Sequence, residues 1–233
     1  MKTLLSMLLL PGLLCQAATG LTGFPFTAEN LRYSLNWPTG IALGEAQLHS
    51  KSAVPAGSGW SLEMTLSGGI PGFEVKDTYT ANASADFCTD DFSRQFAHGK
   101  RKGGEKETVD RSHGTASRMT LNGGGKSEFT VPDCTKDALT LLFYARRELG
   151  QGRVPPAQQV LFGGLYQATL TYAGAQTIQS GGKPAVTDKI ICDLKGPAST
   201  LQFEIYFARD AARTPLLFKV PFALGKFSME LVR

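Results

Sequence analysis

Charge is scarce in this chain. Only 19% of its 233 residues are Asp, Glu, Lys or Arg, too few for a tail protein kept open by self-repulsion. The formal net charge of +4 is too weak to make nucleic acid the main partner. Four cysteines are too few for a disulfide scaffold, and no Cys-x-x-Cys occurs. The three histidines, His49, His98 and His113, are scattered, so neither a metal site nor a cofactor is expected. No Gly-x-Ser-x-Gly elbow is present. Long apolar runs are missing except for one at the start. Collagen, coiled coil and polytopic membrane protein are thereby excluded.

What is present begins with that run. Lys2 gives a short positive start, Leu4 to Leu14 is largely apolar, and small residues follow at Ala17, Ala18 and Gly20. The run of about 11 residues is too short to cross a bilayer, which takes ~20. Residues 1–20 therefore read as a secretory signal, cleaved between Ala17 and Leu21, and 21–233 as a single β-rich domain without a transmembrane segment. Cys15 follows Leu13-Leu14 rather than small residues, so ordinary cleavage is favoured over lipid anchoring. Loss of Lys2 leaves 23 basic against 20 acidic residues, or +3. In an exported chain two of the remaining cysteines would pair. Cys88 and Cys134 both sit in turn-like contexts, Asp86-Phe87-Cys88 and Pro132-Asp133-Cys134. Cys192, in Ile190-Ile191-Cys192, suits a buried free thiol.

The body of the chain counts in twos, the mark of half-buried strands. Leu31, Tyr33, Leu35 and Trp37 share one face. So do Trp60, Leu62, Met64 and Leu66, then Tyr166, Ala168, Leu170 and Tyr172. Leu201 to Phe207, Leu216 to Phe222 and Phe227 to Leu231 repeat the alternation. Turns are expected at Pro38-Thr39-Gly40, Gly68-Gly69 to Pro71-Gly72, Gly103-Gly104, Asn122 to Gly125 and Gly181-Gly182. Such short links favour antiparallel neighbours. One segment has helical spacing instead: 135–149, with Ala138, Leu141, Leu142, Ala145 and Leu149 on one face. Asp133 or Thr135 suits its cap, Asp137 its first turn and Gly150 its end. The expected fold is all-β: a strongly curved antiparallel sheet, half-barrel or closed barrel, with one packed helix.

Several local patterns resemble chemical motifs and are better read as structure. Asn122-Gly123-Gly124-Gly125-Lys126-Ser127 lacks the first glycine of a phosphate loop and runs into an alternating strand, so it is a hairpin turn. Ser112-His113 and Asp90-Asp91 are adjacent pairs; on a strand their side chains diverge, and a surface turn suits Asp90-Asp91. Asn82-Ala83-Ser84 fits a glycosylation sequon, relevant only in a eukaryotic secretory route. Asp210 and Arg213 fit a turn lock. The densest positive run, Lys100, Arg101 and Lys102, reads as an exposed hairpin tip, a surface basic patch able to touch anionic lipid.

Three longer stretches resemble one family. Leu31-Arg32-Tyr33-Ser34-Leu35-Asn36-Trp37 with Gly40 and Gly44 is similar to the start of a bacterial exported family known as domain of unknown function 3108. Asp137-Ala138-Leu139-Thr140 leading into Tyr144-Ala145-Arg146-Arg147, and the late stretch from Phe207-Ala208-Arg209-Asp210 to Thr214-Pro215, are similar to it as well. The resemblance implies export, by signal peptide or lipoprotein leader, and supplies no catalytic residues. Cys88 and Cys134 are not part of it. By analogy of fold alone, the expected architecture looks like periplasmic carriers that hold acyl chains in a half-barrel.

Alternation places Trp60, Phe203, Ile205, Phe218 and Phe222 together as lining of an apolar hollow, if the helix does not fill it. The leading expectation is a non-catalytic cell-envelope protein that binds an apolar or amphipathic ligand, with lipid or another envelope protein as partner and peripheral membrane contact. The alternatives are an interaction or assembly module with a filled core, and an envelope glycan or lipid hydrolase.

Overall fold

The computed structural model describes residues 28–53, 58–197, 199–222 and 225–232, without the side chain of Phe222. The expected leader, 1–20 with Cys15, lies outside the described residues. The first half of the chain gives β1 (Ala28–Asn36), β2 (Ala42–Ser52), β3 (Gly59–Ile70), β4 (Phe73–Ser84), β5 (Thr89–His98), β6 (Arg101–Asp110), β7 (Thr115–Leu121) and β8 (Lys126–Thr130). The second gives β9 (Lys136–Asp137), the helix α1 (Ala138–Gly150), β10 (Gln158–Leu161), β11 (Leu165–Ser180), β12 (Lys183–Lys195), β13 (Thr200–Ala208), β14 (Pro215–Phe222) and β15 (Gly225–Leu231). Among the described residues no helix is long and apolar enough to cross a membrane.

All fifteen strands form one sheet, in the order β8-β7-β6-β5-β4-β3-β2-β1-β15-β14-β13-β12-β11-β10-β9. The terminal strands β1 and β15 pair at its middle, with Tyr33 opposite Leu231, so each half of the chain rolls outward from that junction. Among the described residues every pairing is antiparallel except β9 with β10. The sheet does not close. Its two halves overlap instead. Val160 and Ala168 face the main core, while Leu161 and Leu165 turn the other way and pack against Ala116, Val109 and Phe129 of β6–β8. The inner face of β6–β8 thus lies on the outer face of β10–β11, joined by side chains rather than a ladder.

The alternation predicts most of these faces. Tyr33, Leu48, Leu62, Phe92, Ile190 and Phe207 all point to one core, against Leu139, Leu142 and Phe143 of α1. Each such side chain contributes roughly 1.5–3 kcal/mol on burial. In the row Tyr166 to Tyr172, only Ala168 and Leu170 reach it. A bulge follows Tyr172, which is left 47% exposed. Of the turn expected over Gly68-Gly69 to Pro71-Gly72, Pro71-Gly72 is the reversal; Gly68-Gly69, and Gly103-Gly104 expected as a separate turn, lie inside β3 and β6. A Cβ on Gly68 would meet Leu43 O at 2.7 Å, and one on Gly103 would meet the Phe96 ring at 2.6 Å, so glycine allows close packing there rather than a turn.

The helix starts later than the spacing suggests. Lys136 and Asp137 first make a two-residue parallel strand. Asp137, not Asp133 or Thr135, is the cap: its carboxylate accepts from the N–H groups of Leu139 and Thr140, and Thr140 Oγ1 accepts from the Asp137 N–H. At the other end Gly150 is the last helical residue, as expected, and two residues on Gly152 adopts φ 75°, with Arg153 N–H on Glu148 O and Gly152 N–H on Leu149 O in a Schellman closure.

Cys88 and Cys134 form a disulfide, and Cys192 is a buried free thiol. The bridge ties the entry of β5 to the entry of β9, beside a Thr89 N–H to Thr135 O bond of 3.0 Å. Lys136 Nζ lies 3.1 Å from Cys134 Sγ and donates to Asp86 O; burial, reinforced by Arg147, lowers its pKa to about 8. Arg213 does not pair with the Asp210 side chain. It reaches Asp188 at 2.8 Å, where Arg209 also binds, and Asp210 holds the turn through the Thr214 N–H.

Candidate functional site

Alternation puts one side of every strand on the inner face, and the hairpins order the two ends of the roll. α1 lies across one end. The tips 37–41, 70–73, 98–101 and 121–126 gather at the other. Between them is an apolar hollow of about 320 Å³. Its walls include Leu35, Leu66, Phe203, Ile205, Phe218 and Val220, and its floor is Leu139, Leu142 and Ala145 of α1. The Cys192 thiol faces it as well. Burial, then the nearby Asp193, pushes that thiol up to about 12, which favours the neutral form.

Of the five residues expected to line this space, Phe203, Ile205 and Phe218 do. Trp60 does not. It opens β3 at the helix end, where its ring stacks on Phe87 at 5.4 Å and Phe87 stacks on Phe143. The loop pinned by the disulfide thus supplies a partner that strand alternation could not show. The side chain of Phe222 lies outside the described residues.

A second concavity of about 520 Å³ adjoins the first. It lies between the inner face of β5–β7 and the turn at Phe162-Gly163. Arg94, His98, Arg101, Lys102 and Arg118 line it, with Glu105 as the lining carboxylate. Lys100 stays at the exposed tip, so the expected basic patch is split: Lys100 faces solvent, while Arg101 and Lys102 border the cleft. Arg118 holds Glu105 at 2.6 Å, and Arg94 stands 3.8 Å from it. His98 Nε2 lies 2.7 Å from Asp77, which also accepts from Tyr79 OH. Burial, and then Asp77, pushes the Tyr79 hydroxyl far above its usual range. The sequence held the signal for this cleft: in Phe92-Ser93-Arg94-Gln95-Phe96-Ala97-His98, Arg94 and His98 share the inward face of two phenylalanines.

Glu107 faces the same overlap. It is fully buried, and the backbone N–H of Gly163 is the one hydrogen-bonding group that lowers its pKa, too weak to offset the burial. Burial, then the neighbouring Glu105, pushes it up to about 7. Its folded-state value is raised, so it favours the folded state below its ordinary 4.5, and that contribution is lost as pH rises through about 7. Stability should therefore fall between about pH 5 and pH 8, and Glu107→Gln should flatten the fall. Denaturant midpoints measured across that range test this; an unchanged slope in the variant would refute it.

The motifs doubted as catalytic occupy other surroundings. Ser112 and His113 lie in the β6–β7 turn, not on a strand, and converge on one carboxylate. Ser112 Oγ donates to Asp110 Oδ1 at 2.6 Å, and His113 Nδ1 is 2.8 Å from Asp110 Oδ2. The Ser112 and then the His113 hydrogen bond hold Asp110 at about 2. In this exposed turn His113 presents Nδ1 to both residues, so no acid–imidazole–hydroxyl relay runs through the ring. Asp90 and Asp91 are in β5 rather than a surface turn, paired respectively with Arg111 and Asn82. Among the described residues no group of three or more His, Cys, Asp or Glu could hold a metal.

Comparison with known proteins agrees with the architecture. The family model described as "Protein of unknown function (DUF3108)" matches residues 32–232. A solved structure titled as a beta-barrel-like protein of domain of unknown function DUF1849, from Brucella abortus, superimposes with a TM-score of 0.64. The match covers 89% of this chain and 96% of that one at 7% identity, a likeness of fold alone. No curated protein matches the sequence.

Proposed function

This chain belongs to the DUF3108 family of proteins of unknown function, and from that premise we propose that it is an exported, non-catalytic protein of the cell envelope that binds an apolar or amphipathic ligand. One observation carries the reading: the inner face of the sheet and the helix floor leave an unfilled, almost wholly apolar hollow of about 320 Å³. That size lies at the lower end of ligand sites, ~300–1,000 Å³. Ordinary cores leave few voids larger than a water molecule. The disulfide supports an oxidising compartment. At the tip end, exposed Ile70 and Phe73 adjoin the turn that carries Lys100, and Ile41 is exposed on the tip between β1 and β2, a surface suited to meeting a lipid layer while the ligand enters.

Native mass spectrometry of protein purified from its own host should find co-purifying lipid. Val220→Trp adds bulk to the wall on a strand that accepts aromatics, and should abolish that adduct while leaving the denaturation midpoint within about 1 kcal/mol. Recovery of only ligand-free wild-type protein would favour the interaction module instead.

A further inference from the structure

We propose that the cleft bordered by Arg94, Arg101, Lys102 and Arg118 binds the anionic group, phosphate or carboxylate, of an amphipathic ligand whose alkyl chain lies in the apolar hollow. The proposal rests on the binding-protein reading and adds the chemistry of the headgroup. Three observations carry it.

The two concavities are neighbours through one side chain. Phe162 lines both, and its ring stacks on Tyr79 at 6.0 Å, which in turn stacks on Phe92 in the core. A chain lying along the apolar wall therefore meets the cations immediately beyond that ring. An isolated anion site would not need an apolar neighbour, and an isolated fatty site would not need four cations.

The cations outnumber their partners. Against Arg94, Arg101, Lys102 and Arg118 the cleft lining offers one carboxylate, Glu105, an excess of three positive charges. Arg118 occupies Glu105 at close range, with bonds of 2.6 and 2.8 Å. Arg94 is left at 3.8 Å from it. Arg101 lies over the Phe96 ring at 5.5 Å.

Arg94 is also held ready. Its guanidinium is 5.1 Å from the Phe96 ring centre and 5.0 Å from that of Phe162, which fixes its plane and shields it from water. The guanidinium hydrogen-bonds the Tyr79 side chain, and its buried Nε has no partner among the described residues, which leaves that one donor for a ligand. A guanidinium with an unused donor, clamped between rings, is suited to a planar or tetrahedral oxyanion and strengthens that bond by excluding water. Lipid headgroup and free oxyanion share this chemistry, and the test separates them.

Isothermal titration of the lipid-freed exported chain should compare dodecyl phosphate, dodecanol and inorganic phosphate, each below any micelle concentration. The same titrations go to Arg101→Ala with Lys102→Ala, two exposed positions whose loss should leave the fold intact, as circular dichroism would check. Dodecyl phosphate should bind at least about tenfold tighter than dodecanol in the wild type. The double variant should lose about tenfold for dodecyl phosphate and nothing for dodecanol. Equal binding of phosphate and alcohol, or an unaffected double variant, overturns the headgroup site and leaves the binding-protein reading standing. Inorganic phosphate binding as tightly as dodecyl phosphate overturns it in favour of a free-anion site. Absence of binding by both alkyl compounds overturns the binding-protein reading and this proposal together.

Discussion

Arg146→Ala should cost about 3–5 kcal/mol, the expected effect of removing one member of a buried ion pair. Arg146 is 1% exposed, although it sits on an amphipathic helix where an arginine would ordinarily reach solvent. Its two terminal nitrogens meet the Glu29 carboxylate at 2.6 and 2.8 Å, its Nε donates to Ala212 O, and its plane lies 5.0 Å from Phe143. Beside it, Tyr33 OH donates to Pro215 O, and burial keeps that hydroxyl protonated far above its usual range. One side chain thereby fastens α1 to the first strand and to the loop before β14, which is the closed end of the roll. Alanine would leave Glu29 as a charge with little water and no partner. The double change Arg146→Met with Glu29→Leu should recover most of the loss, because the desolvated charges leave together. Denaturant midpoints of the single and double variants decide it. A loss under about 1 kcal/mol would mean that the pair behaves as an exposed one.

Removing the disulfide should have an effect of similar size. Cys88 and Cys134 are 46 residues apart, and on the chain-entropy account a loop of that length is worth about 4 kcal/mol. Its position adds to that. Among the described residues the sheet has no ladder across its overlap, so the bridge joins the entries of β5 and β9 together with single bonds: Thr89 N–H to Thr135 O, Thr89 Oγ1 to Asp137 and Lys136 Nζ to Asp86 O. Cys88→Ser with Cys134→Ser should lower the unfolding midpoint accordingly, and a reductant should do the same to the wild type. Cys192, buried in the core, should not change this result. On the binding-protein reading, any co-purified lipid should be lost at lower denaturant in the variant, because the helix floor hangs from the same join. Coincident midpoints for wild type and variant would overturn the assignment of the bridge as the fastening of the roll.

Much of the fold is legible in the sequence because a strand has a period of two and a roll has one inside. Leu31, Tyr33 and Leu35, or Phe203, Ile205 and Phe207, state their common face without any partner being known. The helix is legible for the matching reason, its period of 3.6, and its start is misplaced because Asp137 can serve as cap only once Thr140 and Thr89 are positioned around it. Gly68-Gly69 and Gly103-Gly104 misread as turns because a glycine marks close approach as well as reversal; which of the two depends on the neighbouring strand.

The sequence by itself settled what depends on neighbours in the chain: the alternation, the helical spacing after Pro132, the turn contexts of Cys88 and Cys134, and the family; that those two cysteines meet, 46 residues apart, is long-range. Only the tertiary structure decided what depends on residues far apart. It left Trp60 on Phe87 rather than in the hollow, sent Arg213 to Asp188, buried Arg146 on Glu29, and laid β6–β8 over β10–β11 so that Arg94, Glu105, Glu107 and Phe162 meet. Local periodicity fixes which side of a strand is apolar, but not how far a sheet curls before its ends overlap. That curl, set by packing over the whole roll, is what places a charged cleft beside an apolar hollow.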